Sequence, residues 1–252
     1  MHSAEENFYT AIAVAAVALG IIIGYFILTM IRHQRRNIRL YKAKIRAEIS
    51  TLENERKRMA SDLHDELGPL LSAVRIQINY LEAKNENDQK IVAFANKHID
   101  DILTKTREIS YNLMPNTLVR KGLIKALQEY VNKLSQIHKL KINFEADSPI
   151  ELSKEKEINI YRILQEIIHN TIKHADATQL AIKLKKQNGM LELMTADNGI
   201  GFDMDNKMES SEGLGLINLQ SRTEVLNAKF NYHSALGHGT QYIFEIPLND
   251  VL

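Results

Sequence analysis

Apolar positions change their spacing several times along the chain, and each change predicts a different element. From Phe8 to Ile31 no residue is charged. At a rise of about 1.5 Å per residue this run crosses a hydrocarbon layer of about 30 Å, so it predicts a transmembrane helix. Ile38, Ile45, Leu52 and Met59 then recur at heptad spacing, which keeps one seam facing a partner helix in a coiled coil. A lone basic membrane-proximal helix is the competing reading. After Met59 the seam shifts register and resumes through Leu63, Leu67, Leu70, Val74, Ile78 and Leu81, a stutter of the kind that locally unwinds a supercoil.

Asn85 to Asp88 reads as a polar turn, after which Ile91, Ala95, His98, Ile102, Ile109 and Leu113 line a second helix able to fold back on the first. His98 is expected to be a packed or hydrogen-bonded core residue. Two such helices bury little alone, and pairing two chains makes a four-helix bundle, so a homodimer is expected. Met114-Pro115-Asn116 breaks the helical pattern. Beyond it a helix is predicted over 123–138, a strand over 140–146 and a long helix over 154–174. The alternating runs 179–186 and 190–196 are joined by Asn188-Gly189, a strong hairpin signal. A helix over 214–227 and strands over 229–234 and 241–246 complete the pattern. The expected fold class is α+β: one transmembrane helix, a helical-hairpin dimerisation domain and a two-layer α/β sandwich. The expected segments are a short outer tail (1–7), the span (8–31), a coiled-coil linker (32–58), a dimerisation domain bearing His64 (59–118) and a catalytic domain (119–252).

Bulk composition adds little, because a net charge of +1 and 25% charged residues are ordinary. The placement of charge says more. Arg32, Arg35, Arg36, Arg39, Lys42, Lys44 and Arg46 follow the span at once, so the positive-inside rule puts the amino terminus outside and the remainder in the cytoplasm. The head carries Glu5 and Glu6 and no Lys or Arg, which argues against a cleaved signal peptide. So short an outer tail is not expected to form a sensory domain. Cysteine is absent, which excludes disulfides, thiolate zinc sites and thiol nucleophiles.

Histidine, carboxylates and hydroxyls are left for chemistry. His64 lies one residue, about 100° of helical turn, from the seam residue Leu63. A ring there is held and yet reachable. Unperturbed imidazole has a pKa of about 6.5, so at neutral pH one ring nitrogen offers a lone pair while Asp65 can hold the proton on the other. Pro69 lies one turn on, where it removes a backbone donor and is expected to bend the helix.

A second constellation lies in the carboxy-terminal half. Glu166, Asn170 and either Lys173 or His174 share one face of the long helix. A carboxylate, an amide oxygen and a cation suit a magnesium-bound polyphosphate. Asp197-Asn198-Gly199-Ile200-Gly201-Phe202-Asp203 leaves a strand with an acid followed by two glycines, where the backbone can approach a ligand. Gly213-Leu214-Gly215-Leu216 opens a helix whose free N–H groups suit phosphate. Glu209 to Glu212, between the glycine clusters, reads as a lid. Gly237-His238-Gly239-Thr240 turns into the last strand.

These pieces, in this order, resemble a membrane sensor histidine kinase of the two-component type with a GHKL-type ATP-binding domain. The likeness is to the subfamily that signals to response regulators with a DNA-binding helix-turn-helix output and that includes nitrate sensors and a membrane-fluidity sensor. It runs from about Glu55 to Pro247, on Glu55-Arg56-Lys57-Arg58, Leu63-His64-Asp65, Leu113-Met114-Pro115, Gly122-Leu123, Ala126-Leu127, Glu166 to Ala175 and the two glycine boxes. The resemblance implies that His64 is the phosphoacceptor and Asp65 its base or orienting acid. Glu166, Asn170, Lys173 and His174 are then the box that holds magnesium and phosphates, with Asn170 the metal residue. Asp197 reads adenine, Gly199, Gly201, Gly213 and Gly215 form pocket and lid with Leu214 and Leu216, and Thr240 is the threonine near the domain's end. It implies ATP and Mg as cofactors and a homodimer in the cell membrane. The regulator is a separate protein, so this chain itself binds no nucleic acid. The stimulus would reach the span directly or through a partner membrane protein.

Two departures stand out. The subfamily usually has glutamine five residues after the histidine, used to position water in dephosphorylating the regulator; here that position is Pro69. Other histidine kinases use threonine or asparagine four residues after, where this chain has Gly68. Weak phosphatase activity is expected. Ser61 also stands where arginine is often found, which leaves the salt-bridge pattern around His64 open. The alternatives are a catalytically silent ATP-binding scaffold dimer, and another ATPase with the same nucleotide fold, such as a chaperone or topoisomerase module.

Overall fold

The computed structural model describes residues 2–82, 84–147, 150–202 and 214–249, with side chains from Val17 onward except that of Leu214. The chain divides into two compact units, residues 1–47 and 48–252. The expected span and linker lie in one continuous helix, α1 (His2–Asp62). Its apolar window is long enough to cross a membrane, and none of that window is buried within the protein. Ile21, Tyr25 and Phe26 all face outward.

The second unit begins with a helical stem. A π-helical turn (Leu63–Leu67) follows α1 and leads into α2 (Gly68–Asn79). The helical backbone continues through the junction, with φ/ψ of −73/−34° at Leu67 and −58/−55° at Gly68. Pro69 sits in the first turn of α2. The expected disruption at Pro69 therefore takes the form of a widened turn just ahead of it, a place where proline's missing N–H is tolerated. Helix α3 (Glu86–Leu113) returns along α2, capped by the Asn85 side chain, which accepts from the Asp88 N–H at 2.9 Å. On α3, Ile99 and Leu103 are buried, whereas Ile91, Ile102 and Ile109 of the predicted stripe are exposed. His98 is exposed as well, edge-on to Phe94 with ring centroids 4.3 Å apart. Within one chain it is thus not a core residue. On α2, Leu70, Val74 and Ile76 are exposed as well.

The α/β part follows the predicted order with one addition, a short helix α4 (Asn116–Lys121) before α5 (Leu123–Ile137). Strand β1 (Lys141–Ala146) precedes α6 (Lys154–His174), which starts at a Ser153 cap. The hairpin strands β2 (Gln179–Gln187) and β3 (Met190–Asp197) turn at Asn188 and Gly189, both at positive φ. Helix α7 (Leu214–Val225) and strands β4 (Lys229–Ser234) and β5 (Thr240–Pro247) close the domain.

The sheet runs β1-β2-β3-β5-β4, parallel between β1 and β2 and antiparallel elsewhere. Alternation along the strands buries Leu180, Ile182 and Leu184 on β2, Leu191 and Leu193 on β3, and Tyr242, Phe244 and Ile246 on β5. This one face meets α6, whose Ile160, Tyr161, Ile163, Leu164, Ile167 and Ile168 are all fully buried. A helix apolar around most of its circumference is covered on more than one side; here the sheet and α5 supply that cover. The core thus fixes the carboxy-terminal turns of α6 beside the end of β3.

Candidate nucleotide site and phosphoacceptor helix

The end of β3 is built to hold one carboxylate. Asp197 Oδ1 accepts the N–H of Gly199 at 2.9 Å and the N–H of Thr240 at 3.2 Å. Burial pushes its carboxyl above the usual carboxylate range, against the pull of those two backbone donors. Around it the backbone is packed too closely for side chains. A Cβ on Gly199 would lie 2.3 Å from the Ala175 carbonyl oxygen, and one on Gly239 would lie 2.0 Å from the Asp197 carbonyl oxygen. The Ile200 N–H donates to the Ala175 carbonyl at 2.8 Å and the Gly237 N–H to the Ile200 carbonyl at 2.7 Å, so this loop is pinned to both α6 and the β4–β5 turn.

Asn198 holds the loop from its other side. Its Oδ1 accepts the N–H groups of Thr178 and Gln179, each at 2.9 Å, while its Nδ2 donates to Thr178 Oγ1 at 2.8 Å. The Ser234 hydroxyl accepts from the Phe202 N–H at 2.9 Å and bonds the Thr240 hydroxyl at 2.9 Å. Sequence reasoning assigned neither Asn198 nor Ser234, since a turn asparagine or a strand serine carries no signal of the distant groups it satisfies.

The result is a cleft with about 620 Å³ of open space. Of the residues expected at a nucleotide site, it brings together Asn170, His174, Asp197, Gly201, Gly215, Leu216 and Thr240, and it adds Phe202 and Tyr242. Tyr242 is buried, and desolvation raises its phenol above the ordinary value, which keeps it neutral. Gly199 packs behind the wall. Lys173 is exposed on α6 and is not among the lining residues. Glu166 opens onto the neighbouring cleft, yet it is tied to this one: Asn170 Nδ2 lies 3.4 Å from Glu166 Oε1. A Cβ on Gly215 would meet Glu166 Oε1 at 2.8 Å and Asn170 Nδ2 at 3.0 Å. Glycine at position 215 thus lets α7 approach these two polar groups without displacing their side chains. The expected lid (Glu209 to Glu212), Asp203 and Gly213 lie outside the described residues, and Leu214 is described only as the first residue of α7.

Among the described residues no group of three His, Cys, Asp or Glu forms a cage for a metal ion. The donor set at Asn170 fits a magnesium ion that takes one protein oxygen and draws its other ligands from phosphate and water, the usual habit of this cation.

His64 occupies the π-helical turn, exposed, in a separate cleft lined also by Pro69, Ser72, Thr106, Arg107 and Ser110. Asp65 beside it accepts a hydrogen bond from the Ser61 hydroxyl at 2.8 Å. The position where arginine was the expected residue therefore still orients the acid next to the histidine, by a neutral donor instead of an ion pair. Among the described residues the His64 cleft and the Asp197 cleft share no lining residue.

Comparison with known proteins agrees with this division. Residues 55–118 match the family described as "Histidine kinase", and residues 155–250 match "Histidine kinase-, DNA gyrase B-, and HSP90-like ATPase". The oxygen sensor histidine kinase NreB of Staphylococcus carnosus (strain TM300) is 29% identical over 226 residues, which cover 86% of this chain and 63% of that protein. The aligned region thus spans less than two thirds of that relative. Among solved structures, the histidine kinase domain of the Erythrobacter litoralis EL346 blue-light activated histidine kinase aligns over 73% of this chain and 96% of its own, with a TM-score of 0.47 and 21% identity. Acinetobacter baumannii histidine kinase AdeS aligns over 72% and 95%, with a TM-score of 0.42 and 20% identity. The ATPase match alone would admit gyrase and chaperone relatives, but the histidine-bearing match directly ahead of it does not. The chain therefore belongs to the histidine kinases with a GHKL-type ATP-binding domain.

Proposed function

We propose that this protein transfers the γ-phosphoryl group of ATP to His64 and from there to an aspartate of a separate response regulator. The observation that carries the reading is the Asp197 carboxylate, locked on one oxygen by Gly199 and Thr240 at the mouth of a glycine-walled cleft. Its other oxygen is left to accept the exocyclic amine of adenine. Asn170 would hold magnesium at the phosphates, His174 would supply a further donor toward them, and the first turn of α7 would present free N–H groups to them. When bound, magnesium neutralises phosphate charge and fixes the orientation of the chain of phosphates.

The lone pair of a His64 ring nitrogen forms the N–P bond as the bond from the γ-phosphorus to the β–γ bridging oxygen breaks, and ADP leaves. Asp65, aligned by Ser61, holds the proton on the far ring nitrogen and steadies the charge that develops on the imidazole. Glu166, beside Asn170, is the second acid of the reaction centre. Little covalent work is asked of the protein, because phosphoryl transfer depends mainly on positioning and charge. The exposed apolar side chains of α2 and α3 support a homodimer. The outward-facing apolar turns of α1 support a single membrane span, and the basic run after it supports an amino terminus outside and a cytoplasmic catalytic part. By its resemblance the regulator would carry a helix-turn-helix output, and the stimulus would act on the span itself or through a partner membrane protein.

The test is to incubate the full chain with labelled ATP and magnesium. It should take up phosphate that is labile to acid and stable to alkali, and His64→Gln should take up none. ATP bound without any protein-linked phosphate would instead establish a silent nucleotide-binding scaffold.

A further inference from the structure

Glu53 lies on α1, within the heptad linker, and yet it is only 7% exposed. Its carboxylate is held by two guanidinium groups of the ATP-binding domain: Arg162 of α6 through Nε at 3.1 Å and Arg222 of α7 through Nη2 at 2.7 Å. Both arginines are buried. Arg222 also donates to Asn159 Oδ1 at 2.9 Å. Arg162 donates to Gln165 Oε1 at 2.7 Å and to the carbonyl of Asn112 at 3.1 Å, and it bonds the Leu113 carbonyl as well. These two carbonyls end α3, where a cation is favoured by the helix dipole. The ATP-binding domain thus grips both arms of the stem through one carboxylate and two charges.

The balance of charge makes this contact depend on Glu53. One carboxylate serves Arg162 and Arg222, with Arg56 3.5 Å away on α1 as a third cation. Burial pushes both Arg162 and Arg222 below the usual arginine range, and Glu53 is the chief influence opposing that. Removing one member of a buried ionic cluster leaves the others desolvated and unpaired, which is costly. A turn of α1 by a single residue would carry Glu53 about 100° around the helix and out of reach of both partners. Arg222 also lines the same cleft as Glu166, the acid that accepts from Asn170.

The contact also sets where the reacting groups stand. Glu53 precedes His64 by roughly 16 Å along the helix, and Arg162 lies two turns before Asn170 on α6. Docked in this way, the cleft that holds His64 is lined, among the described residues, by the stem alone, from Leu63 to Ser72 and from Thr106 to Ser110.

We propose that Glu53 is an autoinhibitory latch: by holding Arg162 and Arg222 it keeps the ATP-binding domain docked on the stem away from His64, and displacement of α1 releases it. This rests on the kinase reading above. Glu53→Gln keeps the shape and removes the charge, whereas Glu53→Asp keeps the charge and falls one methylene short of spanning both partners.

The chain has no cysteine, so Lys57→Cys and Lys185→Cys, both exposed, can carry a pair of spin labels. Labelled full-length chain, diluted with unlabelled chain in lipid nanodiscs, should give a narrow distance distribution that broadens in the E53Q background. The autophosphorylation rate of unlabelled E53Q should rise at least about tenfold, with E53D in between on both measures. An unchanged distribution, or broadening without a faster rate, overturns the latch. Should no form take up phosphate, the kinase reading and the inhibitory role fall together, and the distances alone then decide whether Glu53 holds the domain.

Discussion

Asp197 Oδ1 accepts the Thr240 N–H at 3.2 Å, a bond that joins the last residue of β3 to the first residue of β5 across 43 positions of sequence. Together with the Gly199 N–H at 2.9 Å it fixes the carboxylate before any ligand arrives. Preorganisation of this kind spares a bound nucleotide the cost of ordering its own acceptor.

Under the proposed assignment Asp197→Asn should weaken base recognition while sparing the fold. The amide oxygen can take over both backbone bonds, which turns the amide NH₂ toward the adenine amine, donor against donor. Losing a charge-assisted hydrogen bond and leaving the donor unpaired is worth about 1.5–3 kcal/mol, so ATP affinity should fall by roughly ten- to a hundredfold. Titration of a fluorescent ATP analogue, with and without competing ATP, measures this.

The same residue gives a pH dependence whose sign is fixed. Burial raises the folded-state pKa of Asp197 above that of the unfolded chain, so the folded protein holds this proton more tightly. The contribution to stability is then fully present below the unfolded pKa of about 3.9 and is lost as pH rises through the folded value. Without nucleotide, D197N should therefore melt at a higher temperature than the natural protein at pH 7, and the gap should close as pH falls toward 4. ATP binding should run the other way, weakening as the carboxyl takes up its proton. Melting curves of both proteins over pH 4–7 check the first, and ATP titrations over the same range the second.

Two glycines with similar backbones should behave differently. Gly189 (φ +75°) at the β2–β3 turn has open space where a Cβ would stand, whereas a Cβ at Gly201 (φ +61°) would lie 2.1 Å from the Ala235 carbonyl oxygen. Gly189→Ala bears only the strain of a positive φ, about 1 kcal/mol, and should bind ATP normally. Gly201→Ala must also push apart the loop and the β4–β5 turn that together wall the cleft. It should lose considerably more stability and most of its ATP binding. Urea unfolding paired with nucleotide titration separates the two.

What the sequence revealed and what it hid divide by the range of the interaction. The β2–β3 hairpin was legible because Asn188-Gly189 and the flanking alternation are local, and α6 was legible from Lys154 to His174 because its apolar positions lie within one stretch. His64 and Asp197 could be singled out from their immediate neighbours. Glu53 could not, since Arg162 and Arg222 are 109 and 169 positions away and nothing beside Glu53 marks it as buried. Asn198 and Ser234 were hidden for the same reason. Helix α4 was missed because six residues are too few for a period to show. The π-helical turn at His64 was read as a proline bend: sequence locates the lost donor at Pro69, but not how the backbone redistributes around it.

That turn bears on the reverse reaction. Pro69 lines the cleft that holds His64, at the position where the resembling subfamily carries a glutamine that positions water. A pyrrolidine ring has neither donor nor acceptor for that task, and Gly68 has no side chain to offer instead. The natural protein should therefore barely accelerate loss of phosphate from its phosphorylated regulator. Because Pro69 stands in the first turn of α2, where its missing N–H matters little, replacing it should not unsettle the stem. Pro69→Gln then returns an amide to the cleft and should speed dephosphorylation about a hundredfold, the low end of the 10²–10⁴ range that a well-placed proton-handling group supplies. Pro69→Ala restores the backbone N–H without the amide and should gain nothing, which separates water positioning from a change in helix geometry. The measurement is the decay of labelled, purified regulator after removal of ATP. Rapid decay with the natural protein, or equal gains in both variants, would show that the water is held by another group.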